Sequence, residues 1–180
     1  MESIPELLST DRLQLRRPRT TDADDVFSYA SDPAVTHFMD FPTHKTIETV
    51  SEWLSDCRSF WESGAEFTWF VTPRPVDHVI GAISLRLAGH KADFGYVFNK
   101  KVWGKGFGTE ASQAVVNLAT SLPGMYRVWA TCDVENVASA RVLEKVGLMR
   151  EGVLRSWAVR PNISSVPRDA LVYSKVTKNA

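Results

Sequence analysis

Three glycines occupy alternate positions in Val102-Trp-Gly-Lys-Gly-Phe-Gly-Thr109. Glycine tolerates the left-handed and strained dihedrals that let a chain curl until successive N–H groups point inward. Such a cradle suits an anion. Thr109-Glu110 then opens a stretch with helical periodicity, whose first turn adds unsatisfied N–H groups and the positive end of its dipole. The chemistry indicated is pyrophosphate binding, with Lys105 inside the loop as a further positive charge. A flexible turn without a ligand would carry the same glycines and remains an alternative. Two other phosphate-binding patterns do not fit. A Walker A loop requires Ser or Thr after Gly-Lys, whereas Gly104-Lys105 is followed by Gly106. A dinucleotide fingerprint requires its third glycine one residue later and a strand early in the chain.

The elements that must position this loop follow from periodicity. Residues 12–17 alternate as a half-buried strand. Thr21-Asp-Ala-Asp-Asp25 opens a helix that should stop near Ser31-Asp-Pro33, and a second helix fits residues 46–63. Residues 66–72, 79–87 and 92–98 read as an antiparallel meander of strands separated by turn sequences. A helix over about 109–120, a strand over 127–132, a helix over about 136–146 closed by Gly147, and strands over 148–157 and 170–176 complete the chain. This order predicts one mixed α/β (α+β) domain over residues 1–180, not the alternating pattern of a doubly wound sheet.

Bulk properties exclude several classes. Lys plus Arg and Asp plus Glu are 21 each, so the net charge is zero and a nucleic-acid-coating surface is not expected. No apolar run approaches the roughly 18 residues of a membrane span, and residues 1–8 show no basic signal-peptide start, so a cytoplasmic protein is expected. Cys57 and Cys132 are then expected as free thiols, and four scattered histidines give no metal-ligand spacing.

Over nearly its whole length the chain resembles the GNAT superfamily of N-acetyltransferases, in its RimJ/RimL-like branch. The likeness is carried by Trp103-Gly-Lys-Gly-Phe-Gly-Thr-Glu-Ala111 and Asn136-Val-Ala-Ser-Ala-Arg-Val-Leu-Glu-Lys-Val-Gly147, with Ser31-Asp-Pro-Ala-Val35 as a further familiar segment. It implies a splayed, mostly antiparallel sheet flanked by helices, with acetyl-CoA as cosubstrate and no metal. The family's loop pattern, Gln/Arg-x-x-Gly-x-Gly/Ala, falls on Trp103 to Gly108; Trp103 departs from it, while Gly106 and Gly108 match. The likeness implies that Trp103, Gly104, Lys105, Gly106, Phe107, Gly108 and Thr109 hold the pyrophosphate. It also implies that the backbone at Val97 and Phe98 pairs with the pantetheine arm, and that Asn136 and Ser139 line the coenzyme A side. Both of these polar residues could instead be helix caps.

Acetyl transfer requires a neutral amine, donors for the developing oxyanion, and a proton for the leaving thiolate. A peptide N-terminal amine, with a pKa near about 8, is partly neutral at physiological pH; a lysine near about 10.4 is mostly not. Many family members carry a tyrosine acid seven residues after the motif asparagine, where this chain has Leu143. The remaining candidates are Asp93 as a water-mediated base and Tyr96 as an acid or orienting group, with a backbone N–H near Val97 for the oxyanion. Cys132 is expected to be a buried, inert thiol, and Trp69 and Trp129 packing residues. The expected reaction is direct attack in a ternary complex by a primary amine, first a protein N-terminus and second a small molecule. The protein is expected as a monomer or homodimer. Rival readings are a non-catalytic acyl-CoA-binding module and a nucleotide-binding protein.

Overall fold

In the computed structural model, which describes residues 4–177, the chain opens with two short paired strands, β1 (Leu7–Ser9) and β2 (Leu13–Arg16). Leu13 and Leu15 are fully buried, as alternation requires. A 3-10 turn (Thr20–Asp22) leads into α1 (Ala23–Ala30), and Asp32 caps a single turn, α2 (Pro33–Thr36), with its side chain accepting from the Ala34 N–H. α3 (Ile47–Ser63) buries Val50, Leu54, Cys57 and Trp61 along one stripe and stops at left-handed Gly64. The meander follows as β3 (Phe67–Pro73), β4 (Gly81–Ala88) and β5 (Lys91–Phe98). The second half comprises α4 (Phe107–Ser121), β6 (Arg127–Asp133), α5 (Val137–Lys145), β7 (Met149–Arg160) and β8 (Ser164–Val176).

The strands form one sheet in the order β1-β2-β3-β4-β5-β6-β8-β7, antiparallel except where β5 meets β6. Val26, Tyr29, Val50 and Leu54 of α1 and α3 pack on one face with Phe70 and Ala82. Ala111, Val115, Val116 and Leu143 of α4 and α5 pack on the other with Ile83, Phe94 and Val128. The expected mixed α/β single layer flanked by helices is the observed one.

The differences lie at ends and edges. β1 and α2 are absent from the periodicity reading, being too short to show a period. β7 and β8 extend to Arg160 and back from Ser164, longer than expected, and make a hairpin whose register shifts around Ser156. α4 begins at Phe107 rather than Thr109, because Gly106 at φ +81° caps it. No helix among the described residues is long and apolar enough to cross a membrane. Met1 to Ser3, the start of the segment read for a targeting signal, lies outside the described residues.

Candidate active site

Strands β5 and β6 pair in parallel only through Lys91↔Arg127, Ala92↔Val128 and Asp93↔Trp129. Beyond Asp93 they part, leaving the inner edge of β5 without a strand partner. The phase of the β4–β5 ladder decides which groups face this gap. Asn99 donates its N–H to Ile80 at 2.8 Å, and alternation along an antiparallel pair then turns Val97 toward Ala82. Tyr96 and Phe98 turn their backbone toward the gap. The Val97 amide is therefore spent within the sheet, and the free donor expected there passes to its neighbours. Trp103, the departure from the family pattern, donates its indole N–H to the Phe98 carbonyl at 2.8 Å, which leaves the Phe98 N–H as the open group at that end.

The glycine loop abuts this end of β5, where a Cβ on Gly108 would meet the Phe98 ring at 3.6 Å. Gly104 (φ +75°) and Gly106 (φ +81°) take left-handed conformations, while Gly108 lies in the first turn of α4. The amides of Phe107, Gly108 and Thr109 have no protein acceptor among the described residues, which is the arrangement an anion completes. Lys105 is exposed and free of ion pairs among those residues. The loop is braced from β2's approach. Arg12 donates to Glu110 at 2.7 Å, reaches the Lys105 carbonyl at 3.1 Å and lies over the Phe107 ring. Burial works to raise the Glu110 pKa, but hydrogen bonds from Thr10 and Arg12 outweigh it and hold the carboxyl below its usual range.

Across the gap, Asn136 caps α5, its side-chain oxygen accepting from the Ser139 N–H at 3.1 Å, while its amide nitrogen has no partner among the described residues. Capping and a second contact are thus compatible in Asn136. The Ser139 hydroxyl lies 2.8 Å from that of Tyr96. Burial pushes the Tyr96 pKa up against the opposing effect of that hydrogen bond, so Tyr96 is protonated. Leu143, one turn further along α5, is buried on the same wall. Cys132 is buried beside Ser139, and burial raises its thiol to about 11 despite the Ser139 hydrogen bond. Cys132→Ala should therefore keep most turnover, and incubation with acetyl-CoA alone should leave no acetyl group on Cys132 by mass spectrometry. Detection of that adduct would establish a covalent route.

A cavity of about 700 Å³ passes through the opening in the sheet. Tyr96, Cys132 and Ser139 line its α5 side, and Tyr29, His44 and Trp53 its α1–α3 side. Asp93 lies on its wall, opposite Arg86 in the ladder; its Oδ2 accepts from Arg86 at 2.8 and 2.5 Å, and Arg86 also reaches Glu66 at 3.0 Å. Its Oδ1 has no protein partner among the described residues. Asp93, Tyr96, Val97, Asn136 and Ser139 thus share one cavity, whereas the loop Trp103–Thr109 lies outside it, joined to it by β5. Trp69 is packing, fully buried, but Trp129 is half-buried on the cavity wall.

Sequence reasoning missed the contacts that hold the β7–β8 hairpin against the cavity. Asn162, at the tip of the β7–β8 hairpin, accepts from the Thr43 N–H and hydroxyl and donates to the carbonyls of Thr36 and Phe41. No local pattern links residues 119 apart. Ser156, at φ +45°, marks the bulge that precedes Trp157 on the cavity wall. Among the described residues no group of three His, Cys, Asp or Glu could hold a metal ion.

Comparison with known proteins agrees with this geometry. The model of the GNAT acetyltransferase domain matches residues 12–149. The uncharacterized N-acetyltransferase YoaA of Bacillus subtilis is 30% identical over 173 residues, covering 94% of this chain and 96% of that one. The microcin C7 self-immunity acetyltransferase MccE, solved with acetyl-CoA and AMP, superposes with a TM-score of 0.85 at 20% identity, covering 97% of this chain and 98% of the other. RimL, the ribosomal L7/L12 α-N-protein acetyltransferase solved with coenzyme A, gives 0.83 at 16% identity over 95% and 98%. At such identities these two structures speak for the fold alone. The splayed strands, the left-handed glycines at the head of α4 and the family match together make this chain a member of the GNAT family, an acetyl-CoA-dependent N-acetyltransferase.

Proposed function

We propose that the chain transfers the acetyl group of acetyl-CoA to a primary amine, a peptide α-amine first and a small-molecule amine second, in the reducing cytoplasm where Cys57 and Cys132 remain thiols. The observation that carries this reading is the parting of β5 from β6 after Asp93, with the glycine turn at the Phe98 end of the gap and the cavity opening through it. The amides of Phe107 to Thr109 and the Lys105 ammonium hold the pyrophosphate. The inner edge of β5 at Tyr96 and Phe98, with the Asn136 amide opposite, holds the pantetheine arm. Bound acetyl-CoA supplies the activated thioester.

The remaining chemistry falls to this chain's own groups. The N–H facing the gap from Tyr96 or Phe98 stabilises the carbonyl oxygen as charge develops. Asp93, through the open Oδ1, attracts the protonated acceptor and receives its proton through water. Tyr96 keeps a proton on its hydroxyl for the departing sulfur. Burial keeps the Cys132 thiol protonated and disfavours a covalent intermediate there, so the amine attacks directly while both substrates are bound.

A coenzyme A-release screen over peptide N-termini and small amines tests the activity. Thiol release with at least one amine is expected; binding of acetyl-CoA without turnover on any acceptor would leave an acyl-CoA-binding module. With a verified acceptor, Asp93→Asn should lower turnover by roughly tenfold. The loss should be greatest below the acceptor's pKa and shrink above it, because a neutral amine needs no base. Wild-type kinetics across that range would reduce Asp93 to a partner of Arg86.

A further inference from the structure

Arg160 ends β7 and is only 9% exposed, yet its guanidinium makes no ion pair and no side-chain hydrogen bond among the described residues. The contrast is Arg16, 6% exposed, which is met by Asp22 at 2.7 Å and Asp77 at 2.7 Å. Near Arg160 the available carboxylate is already taken: its charge acts on Asp133, but Asp133 is filled by Arg168 at 2.7 and 3.1 Å. A cation this deep in the lining, with no protein partner among the described residues, is met by water in the cavity or by an anion. Arg160 lines the cavity, and its field also reaches Cys132 on the wall below. Two residues on, the four hydrogen bonds of Asn162 clamp the hairpin to the segment between Thr36 and Thr43, which holds the end of β7 in place. Two polar atoms of the cavity lining are fully buried without partners among the described residues, the Tyr29 hydroxyl and the His44 Nδ1. Burial lowers the His44 pKa, so this imidazole adds no second cation there. The lining also carries the carboxylates Asp40, Glu52 and Asp56 and the open oxygen of Asp93.

We propose that Arg160 anchors an anionic group, a carboxylate or a phosphate, carried by the amine acceptor itself. The acceptor is then a two-pole molecule, its ammonium drawn to the open oxygen of Asp93 and its anion held in the fork of Arg160. This rests on the acetyltransferase reading and narrows its substrate class. The cavity's aromatic lining, including Phe38, Trp53 and Trp157, suits an apolar body between the poles.

Four probes test it by calorimetric titration into the protein, with and without saturating coenzyme A: phenylalanine, phenylalaninamide, the phosphonate analogue of phenylalanine, and an amidated aspartyl dipeptide. At least one anionic probe should bind roughly tenfold more tightly than the amide. The free amino acid or the phosphonate leading would indicate a small zwitterion, and the dipeptide leading an acidic peptide N-terminus. Arg160→Met should erase the preference and Arg160→Lys retain part of it, circular dichroism confirming that both fold. The proposal is overturned if no anionic probe outbinds the amide, or if Arg160→Met keeps the preference. A loss of acetyl-CoA affinity in Arg160→Met with the preference intact would likewise overturn it by moving Arg160 to the donor side. Wild-type failure to bind coenzyme A would instead count against the acetyltransferase reading, since the titrations without coenzyme A still decide the role of Arg160.

Discussion

Gly106→Val should lower acetyl-CoA affinity by about 100-fold while the protein remains folded. Gly106 stands at φ +81°, a conformation that a β-branched residue adopts only under strain, and it is the cap from which α4 starts. An added Cβ would also meet the Arg12 guanidinium at 3.3 Å, disturbing the brace that ties the loop to Glu110. The strain is local, because the loop is exposed and the core stripe of α4 begins at Ala111. Gly108→Ala is the control for adding a Cβ to the same turn without backbone strain. Gly108 has helical backbone, and its new Cβ would make only ordinary contact with the Phe98 ring at 3.6 Å. That change should leave thermal stability within about 1 kcal/mol of wild type. Calorimetric titration of coenzyme A into a folded Gly106→Val protein with unchanged affinity would remove the loop from the binding site.

The loop was legible in the sequence because its chemistry is local. Left-handed backbone calls for glycine at fixed positions, and a helix start calls for a change of period, so both signals sit within eight residues. The meander and the helices α3 to α5 were legible for the same reason, their apolar stripes being dictated by burial on one face. What stayed hidden is non-local. The phase that commits the Val97 amide to β4 depends on the register between two strands, which no single strand encodes. Arg160 gave no signal, since an arginine near a strand end is ordinarily solvated; only its burial beneath the Asn162 clamp sets it apart. The absent tyrosine at Leu143 suggested a missing acid because the sequence could not show that a tyrosine on β5 reaches the same helix.

That tyrosine carries the other large effect. Tyr96→Phe should lower kcat by about 100-fold with little change in KM for acetyl-CoA. The hydroxyl lies 2.8 Å from Ser139, at the opening of α5 one turn before Leu143, on the cavity that separates β5 from β6. Burial raises its pKa above the ordinary phenol value, so the proton is present at every pH where the enzyme works. A group that is protonated throughout contributes a constant factor. The Tyr96→Phe deficit should accordingly be flat between about pH 6 and pH 9, whereas the Asp93→Asn deficit falls as the acceptor loses its own proton. Phenylalanine keeps the ring between Phe94 and Phe98, at 6.4 and 6.1 Å, and gives up one hydrogen bond worth about 1 kcal/mol. A merely structural role would therefore appear as a lower melting temperature with turnover preserved. Ser139→Ala separates holding from donating: it leaves the Tyr96 proton in place and should cost much less turnover than removing the hydroxyl. Turnover of Tyr96→Phe within about twofold of wild type would show that the thiolate leaves without help, as a thiol of pKa near about 8.5 is able to do.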